Sequence, residues 1–303
     1  MLTLEKLLIG DQVIVLDGAL GTELLRRKVE LSLPLWSAAA LGTAPETVGL
    51  IHREYRNAGA AIITAGTFRT TTYTYRLAGF DELEATDRAR AATFEALSLA
   101  REAAAGVALV AGSLAPVGDC YAVEDYPGRE VARHTYRELS GWLAEAGADL
   151  ALVETQINLE EALLALEAAT VAGLPALVSF LVDKQMCLWA GTPLNEAIRA
   201  VHDQGALGVL VNCVTLDIAQ KAAEQLAAHT SLPFGLYANA GRSHPAVDGT
   251  ITRLYPDEQF VAASLDWVQL GARLVGGCCG TTPATIRLLH RRLGELAPDS
   301  TKL

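Results

Sequence analysis

The sequence predicts an α/β fold and, within that class, a single (β/α)8 TIM barrel formed by residues 1–303 as one domain. Three observations carry that expectation. Short apolar, β-branched runs alternate with Ala-, Leu-, Glu- and Arg-rich stretches of helical period along the chain. Nearly every apolar run is continuous rather than alternating, as in parallel strands covered by helices. The runs number eight, and no composition break, Ser/Gly linker or low-complexity tract divides them. A doubly wound open sheet shares the alternation and remains the competing architecture at this point.

In chain order, the first 10 residues read as a short helix closing a barrel floor, and residues 13–16 as the first strand. A helical stretch over 46–58 precedes a strand at 61–64, and a longer one over 85–105 precedes a strand at 107–111. The pattern repeats as helix 131–146 and strand 149–153, helix 159–171 and strand 176–180, then helix 193–203 and strand 208–211. Helix 216–229 leads to a strand at 234–237, the last strand falls at 273–275, and residues 297–303 read as a frayed tail. Glycine marks helix ends in Ala58-Gly59-Ala60, Ala146-Gly147-Ala148 and Gly271-Ala272, where a left-handed residue closes the last turn.

Of the 303 residues 51% are hydrophobic, ample for a large core, and one barrel reaches this length. A net charge of −11, with no basic cluster beyond the Arg291-Arg292 pair, argues against nucleic acid as a partner. No apolar run approaches the ~18 residues of a membrane span. The start, Met1-Leu2-Thr3-Leu4-Glu5-Lys6, lacks a charged-then-apolar leader. Five cysteines are a sparse, odd count for a secreted disulfide framework and suit a reducing compartment. The expectation is a cytoplasmic protein that meets small molecules, neither nucleic acid nor membrane, with its oligomeric state open.

The most specific motif is Gly276-Gly277-Cys278-Cys279-Gly280-Thr281-Thr282-Pro283, about 65 residues after a lone Cys213. Free cysteines commonly serve as small buried hydrophobes, but adjacent ones between glycines, at a strand end and before a helix, are hard to explain as packing. Neighbouring thiols cannot easily bridge each other, because a disulfide needs a specific Cα separation and torsion. They can both face one ion. With Cys213 brought in by the fold, three thiolates would hold Zn2+ and leave its fourth tetrahedral position to a substrate, as in catalytic rather than structural zinc sites. The N-terminus of the following helix is expected to lower the thiol pKa values.

Barrel active sites lie at the carboxyl ends of the strands. There the sequence places Asp17-Gly18, Thr64 to Phe68, Gly112-Ser113, Glu154-Thr155, Asn212-Cys213, Asn239-Ala240-Gly241 and the cysteine pair. Each alone has a plain reading: a strand-ending turn for Asp17 and Asn212, a solvated loop carboxylate for Glu154, a rim anchor for Trp36. Cys120 and Cys187 lie in loops without matching partners and read as bystanders. The histidines, His52, His134, His202, His229, His244 and His290, show no metal-ligand spacing, and neither a Walker loop nor a convincing GxGxxG is present.

Leu16-Asp17-Gly18-Ala19-Leu20-Gly21-Thr22-Glu23-Leu24, Pro34-Leu35-Trp36-Ser37, Val211-Asn212-Cys213 and the cysteine block together resemble the homocysteine S-methyltransferase family, in order and over nearly the whole chain. The resemblance implies a (β/α)8 barrel with Cys213, Cys278 and Cys279 as zinc ligands. It also implies Asp17 and Glu154 near the amino group of homocysteine and Thr155 and Thr67 near its polar end. Trp36 and Asn212 join them as candidate substrate-binding residues. The chain departs from the family pattern at Ala115, across 119–129, in Ala238-Asn239-Ala240-Gly241 and across 183–190. Those departures bear on the methyl donor, not on the zinc.

A free thiol has a pKa near ~8.5 and is mostly protonated at pH 7, whereas coordination removes its proton. The expected reaction is therefore attack of homocysteine thiolate on the methyl group of a cationic donor, giving methionine. S-methylmethionine is the first expectation, ahead of S-adenosylmethionine and betaine, because the sequence shows no appended cobalamin or folate domain. The alternatives are a module that activates homocysteine for a separate corrinoid protein, methyl transfer to a related thiol or selenol, a zinc-holding protein without turnover, and a Schiff-base aldolase using Lys184.

Overall fold

The computed structural model describes residues 2–243, 245–246, 249–251 and 253–296; the tail 297–303 and His244 lie outside the described residues. Eight strands alternate with helices: β1 (Ile14–Val15), β2 (Ile62–Ala65), β3 (Leu109–Leu114), β4 (Leu150–Gln156), β5 (Ala176–Phe180), β6 (Gly208–Asn212), β7 (Phe234–Ala238) and β8 (Leu274–Gly277). All neighbouring strands pair in parallel, in the order β1-β8-β7-β6-β5-β4-β3-β2. A parallel bridge between Leu16 and Ile62 joins the two ends. There the Ala61 N–H donates to the Val15 carbonyl at 2.8 Å and the Asp17 N–H to the Ile62 carbonyl at 3.2 Å. An open sheet would leave two unpaired edges. This sheet is closed, and the fold is a (β/α)8 barrel.

The continuous apolar runs now have a cause. Successive side chains on a strand point to opposite faces, and here both faces are dry. Leu150 and Leu152, Leu177, Leu210 and Leu274 fill the barrel interior, while Val153, Val178, Val209, Val211 and Val275 pack outward against the helices. The helix Leu4–Ile9 brings Leu4, 1% exposed, into the interior cluster from the amino-terminal end, closing the floor as expected. The helices Leu159–Val171 and Leu216–His229 fall where the sequence places them. The cap glycines Gly59, Gly147 and Gly271 take positive φ of 104°, 81° and 104°.

Three strands depart from the sequence expectation by two residues or more at an end. β3 starts two residues later and runs on to Leu114, because Ser113 and Leu114 pair with Leu152 and Val153 of β4. β4 continues past Glu154 to Gln156, which pairs with Phe180, and β8 continues to Gly277. The sequence expectation ends each strand at its first polar or glycine residue. The backbone ladder does not stop there, since its hydrogen bonds are indifferent to side-chain polarity.

Candidate active site

The inward register of the strands converts from apolar to polar at one level. Two residues above Ile62 lies Thr64, above Ala111 lies Ser113, above Leu152 lies Glu154, above Leu177 lies Ser179 and above Leu210 lies Asn212. These groups bond to one another across the barrel mouth. The Ser113 hydroxyl donates to Glu154 Oε1 at 2.5 Å, and the Tyr237 hydroxyl to Glu154 Oε2 at 3.3 Å. Thr64 donates its backbone N–H to Asp17 Oδ2 at 2.8 Å and its hydroxyl to Asp17 Oδ1 at 3.0 Å.

A cavity of about 300 Å3 opens over this layer, lined by Asp17, Thr64, Trp36, Glu154, Thr155 and all three candidate cysteines. That volume is at the small end of ligand pockets and suits an amino acid rather than a large cofactor. Asp17 and Glu154 are 7% and 8% exposed, and among the described residues neither has a basic partner. Burial pushes each carboxyl up to about 7; for Asp17 the nearby Glu154 charge adds to that effect, while the Thr64 hydrogen bonds oppose it. Two buried carboxylates without a counter-charge make a receptor for a cation.

The cysteines converge at the ends of β6 and β8. Cys213 and Cys278 stand in disulfide contact with their Cα atoms 5.6 Å apart, and all three sulfurs lie within 4.8 Å of one another. A bridge between two of them leaves the third sulfur without a purpose, whereas one metal ion uses all three. Thiolates are the donor type that suits Zn2+ and other soft or borderline ions, so the residues fit such a group. The backbone is shaped to this end. Cys213 has φ of 56°, and its carbonyl accepts the Asn239 Nδ2 donor at 2.9 Å. The Thr281 hydroxyl donates to the Cys278 carbonyl at 2.7 Å.

Gly276 and Gly277 are required by close approach: a Cβ on Gly276 would meet Leu16 Cβ at 2.6 Å, and one on Gly277 would strike the Thr281 side chain. The helix after the pair, Pro283–Leu296, begins four residues beyond Cys279. Enclosure by protein pushes the Cys279 thiol up to about 12; a backbone hydrogen bond opposes the rise and the Glu154 charge adds to it. Without a cation, the thiol form is favoured.

Other expected residues are placed differently. Asn212 does not line the cavity; it is fully buried, accepting from the Thr155 N–H at 3.1 Å and the Ser179 hydroxyl at 2.7 Å and donating to Thr155 Oγ1 at 2.8 Å. It thereby holds Thr155 at a φ of 57°, a conformation that is rare for a β-branched residue. Thr67 is also buried away from the cavity, exchanging hydrogen bonds with the Ser113 backbone at 3.0 and 2.8 Å. Trp36 lines the wall. So does Cys120, which the sequence reading set aside, although among the described residues it is not part of the metal-type cluster. Cys187 and the exposed Lys184 lie outside the cavity, which removes the support for a Schiff-base enzyme. The sequence places Thr64 and Ser113 at the mouth without giving them a role and gives no signal for Tyr237; period-two continuation from the inward Ile62 and Ala111 marks the first two.

A family model described as homocysteine S-methyltransferase matches residues 14–293. The chain belongs to the homocysteine S-methyltransferase family. It is 32% identical to the homocysteine S-methyltransferase of Escherichia coli (strain K12), over 95% of this chain and 98% of that protein. It is 28% identical to a selenocysteine Se-methyltransferase of Brassica oleracea var. italica, over 92% of this chain and 88% of that one. A crystal structure of the Escherichia coli homocysteine methyltransferase in a metallated form superposes with a TM-score of 0.82 at 30% identity, covering 95% and 99% of the two chains. As a family member the chain is a methyltransferase, built on a barrel whose mouth carries three cysteines able to bind a metal. Among the described residues no helix is long and apolar enough to cross a membrane.

Proposed function

We propose that this protein is a zinc-dependent enzyme that moves a methyl group from a cationic donor to the thiolate of homocysteine, forming methionine, with residues 1–303 acting as one homocysteine-binding barrel. The observation that carries the reading is the shared cavity: three converging sulfurs stand beside two buried carboxylates that lack a counter-charge. Homocysteine presents the complementary pair, a thiol and an ammonium group.

Cys213, Cys278 and Cys279 would hold Zn2+, which when bound deprotonates the acceptor thiol and keeps it nucleophilic. Asp17 and Glu154 hold the ammonium group and so fix the direction of the sulfur; Thr64, Ser113 and Tyr237 fix the carboxylates in turn. Thr155, braced by Asn212, borders the amino acid. In the transfer, the acceptor sulfur's electron pair forms the new S–CH3 bond. The bond from the methyl carbon to the positive centre of the donor breaks with its pair, and the donor leaves neutral. With S-methylmethionine, both products are methionine. No group on the protein has to take a proton from the methyl-transfer step.

Purified, zinc-loaded protein given homocysteine and a panel of S-methylmethionine, S-adenosylmethionine and betaine is expected to form methionine, fastest with S-methylmethionine. Turnover only with a methylated corrinoid protein would refute self-sufficiency. The resemblance to a selenocysteine Se-methyltransferase favours including selenocysteine as a competing acceptor.

The buried carboxylates set a pH dependence. Each must be ionised to pair with ammonium, yet in the empty site each is half protonated at about 7. As pH falls below 7, binding must displace a proton, so affinity drops by up to about tenfold per pH unit for each carboxylate concerned. Methionine binding reads this without the thiol proton, and Asp17→Asn should flatten the profile. A flat wild-type profile between pH 5 and 7 would contradict it. Stability runs the other way. The folded carboxyls hold protons that the unfolded ones release, so their penalty at neutral pH is relieved as pH falls from about 7 toward 4.

A further inference from the structure

The wall of the cavity contains a buried cation that the reaction above does not use. Arg69 is 7% exposed, lines the cavity, and stands four residues beyond the end of β2. Its Nη1 donates to the Gly118 carbonyl at 3.0 Å, and its guanidinium carbon lies 5.8 Å from the centre of the Phe68 ring. Among the described residues it is the one basic side chain on the cavity, and it has no carboxylate within 4.0 Å. A guanidinium carries five donors and is costly to bury without an anion. None of its nitrogens is both sealed and unpartnered, and the side chain lines the cavity, so donors beyond the Gly118 contact remain for a ligand.

We propose that Arg69 binds the carboxylate of the methyl donor, which is therefore a zwitterionic onium compound. This rests on the methyltransferase reading. The position favours the donor over homocysteine. Asp17 and Glu154 belong to the strand-end layer, where the acceptor's ammonium goes, whereas Arg69 belongs to the loops that wall the cavity. A donor has to approach the acceptor sulfur from that loop side, since the strands occupy the other.

The same wall carries Trp36, Phe68 and Tyr121, whose ring faces attract a sulfonium or quaternary ammonium group. A donor with a positive methyl-bearing centre and a carboxylate a few bonds away matches this pairing of aromatic rings and guanidinium. The wall is also anchored. Glu161 accepts the Val117 N–H at 2.8 Å and the Tyr136 hydroxyl at 3.0 Å, fixing the loop that offers Gly118 to Arg69. Asp119 lines the cavity too, but its Oδ1 accepts the Tyr121 N–H at 2.9 Å and it does not pair with Arg69.

The test compares S-methylmethionine with its carboxamide analogue, which has the same shape and no negative charge, on zinc-loaded wild-type, Arg69→Met and Arg69→Lys proteins. Arg69→Met is expected to raise the KM for S-methylmethionine roughly 10- to 100-fold, to leave the KM for homocysteine unchanged, and to leave turnover of the carboxamide unchanged. Arg69→Lys should recover part of the loss. Calorimetric binding of S-methylmethionine to wild type and Arg69→Met reads the same loss without turnover. The proposal is overturned by equal losses for both donors, by a raised KM for homocysteine in place of the donor, or by binding that is absent in wild type or unchanged in the variant. If no donor methylates homocysteine, the methyltransferase reading fails, and the calorimetric comparison still decides the role of Arg69.

Discussion

Replacing Cys278 or Cys279 by alanine is expected to strip the metal and to lower methionine formation at least about a thousandfold. Two effects combine. Without the metal the acceptor thiol returns to its ordinary pKa near ~8.5, so only a few per cent is thiolate at pH 7 and about 30-fold is lost. The sulfur also loses its anchor, and positioning of reacting groups is worth up to roughly 7–11 kcal/mol in favourable cases. Cys213→Ala should behave alike, because its sulfur lies within 4.8 Å of the other two. Metal analysis of single and double variants is the deciding measurement. Wild type is expected to hold one zinc per chain; stoichiometric zinc retained by any double variant would sink the assignment. Cys187→Ala, outside the cavity, should keep metal and activity, and Cys120→Ala should keep the metal.

The second large effect concerns the ammonium receptor. Asp17→Asn and Glu154→Gln are each expected to lower kcat/KM for homocysteine about 10- to 100-fold, the worth of a charged hydrogen bond of roughly 1.5–3 kcal/mol. The loss should appear mainly in KM, with zinc content unchanged, since neither residue belongs to the sulfur cluster. The two losses should not simply add. In the proposed complex both carboxylates face one ammonium, and removing Glu154 also relieves a repulsion that raises Asp17. Wild-type kinetics in both variants would mean that the carboxylates are only parts of the hydrogen-bonded mouth.

Much of this site is legible residue by residue, and the exceptions share a cause. Asp17 and Glu154 stand out because an acidic group directly follows an apolar run, and the cysteines because a glycine-flanked pair and a third thiol fall at strand ends. Thr67 enters through the family resemblance and Asn212 through its place after a strand, yet their side chains turn to Ser113 and to Thr155 and Ser179. Position after a strand places a residue at the mouth, but which way it points depends on register. Arg69 escapes notice and Cys120 reads as a bystander for the opposite reason. They sit in loops, where no periodicity predicts direction, and only the packing of the segment after β3 against that after β2 brings them to the cavity.

The chain's own pattern determined the local elements: eight apolar runs of strand length, the helices between them, and a thiol pair whose glycine neighbours mark a crowded turn. Each follows from interactions between near neighbours in sequence. Closure was decided elsewhere. The bridge from Leu16 to Ile62 and the pairing of β1 with β8 join segments whose alternation would equally suit an open sheet, and only the summed twist and tilt of all the strands brings them together. The pairing of β6, β7 and β8 carries Cys213 to Cys278 across 65 residues, and closure sets Asp17 within electrostatic reach of Glu154. It also seals the carboxylates from water, and it is this loss of solvent, which no local sequence pattern encodes, that lifts both above the ordinary carboxylate range.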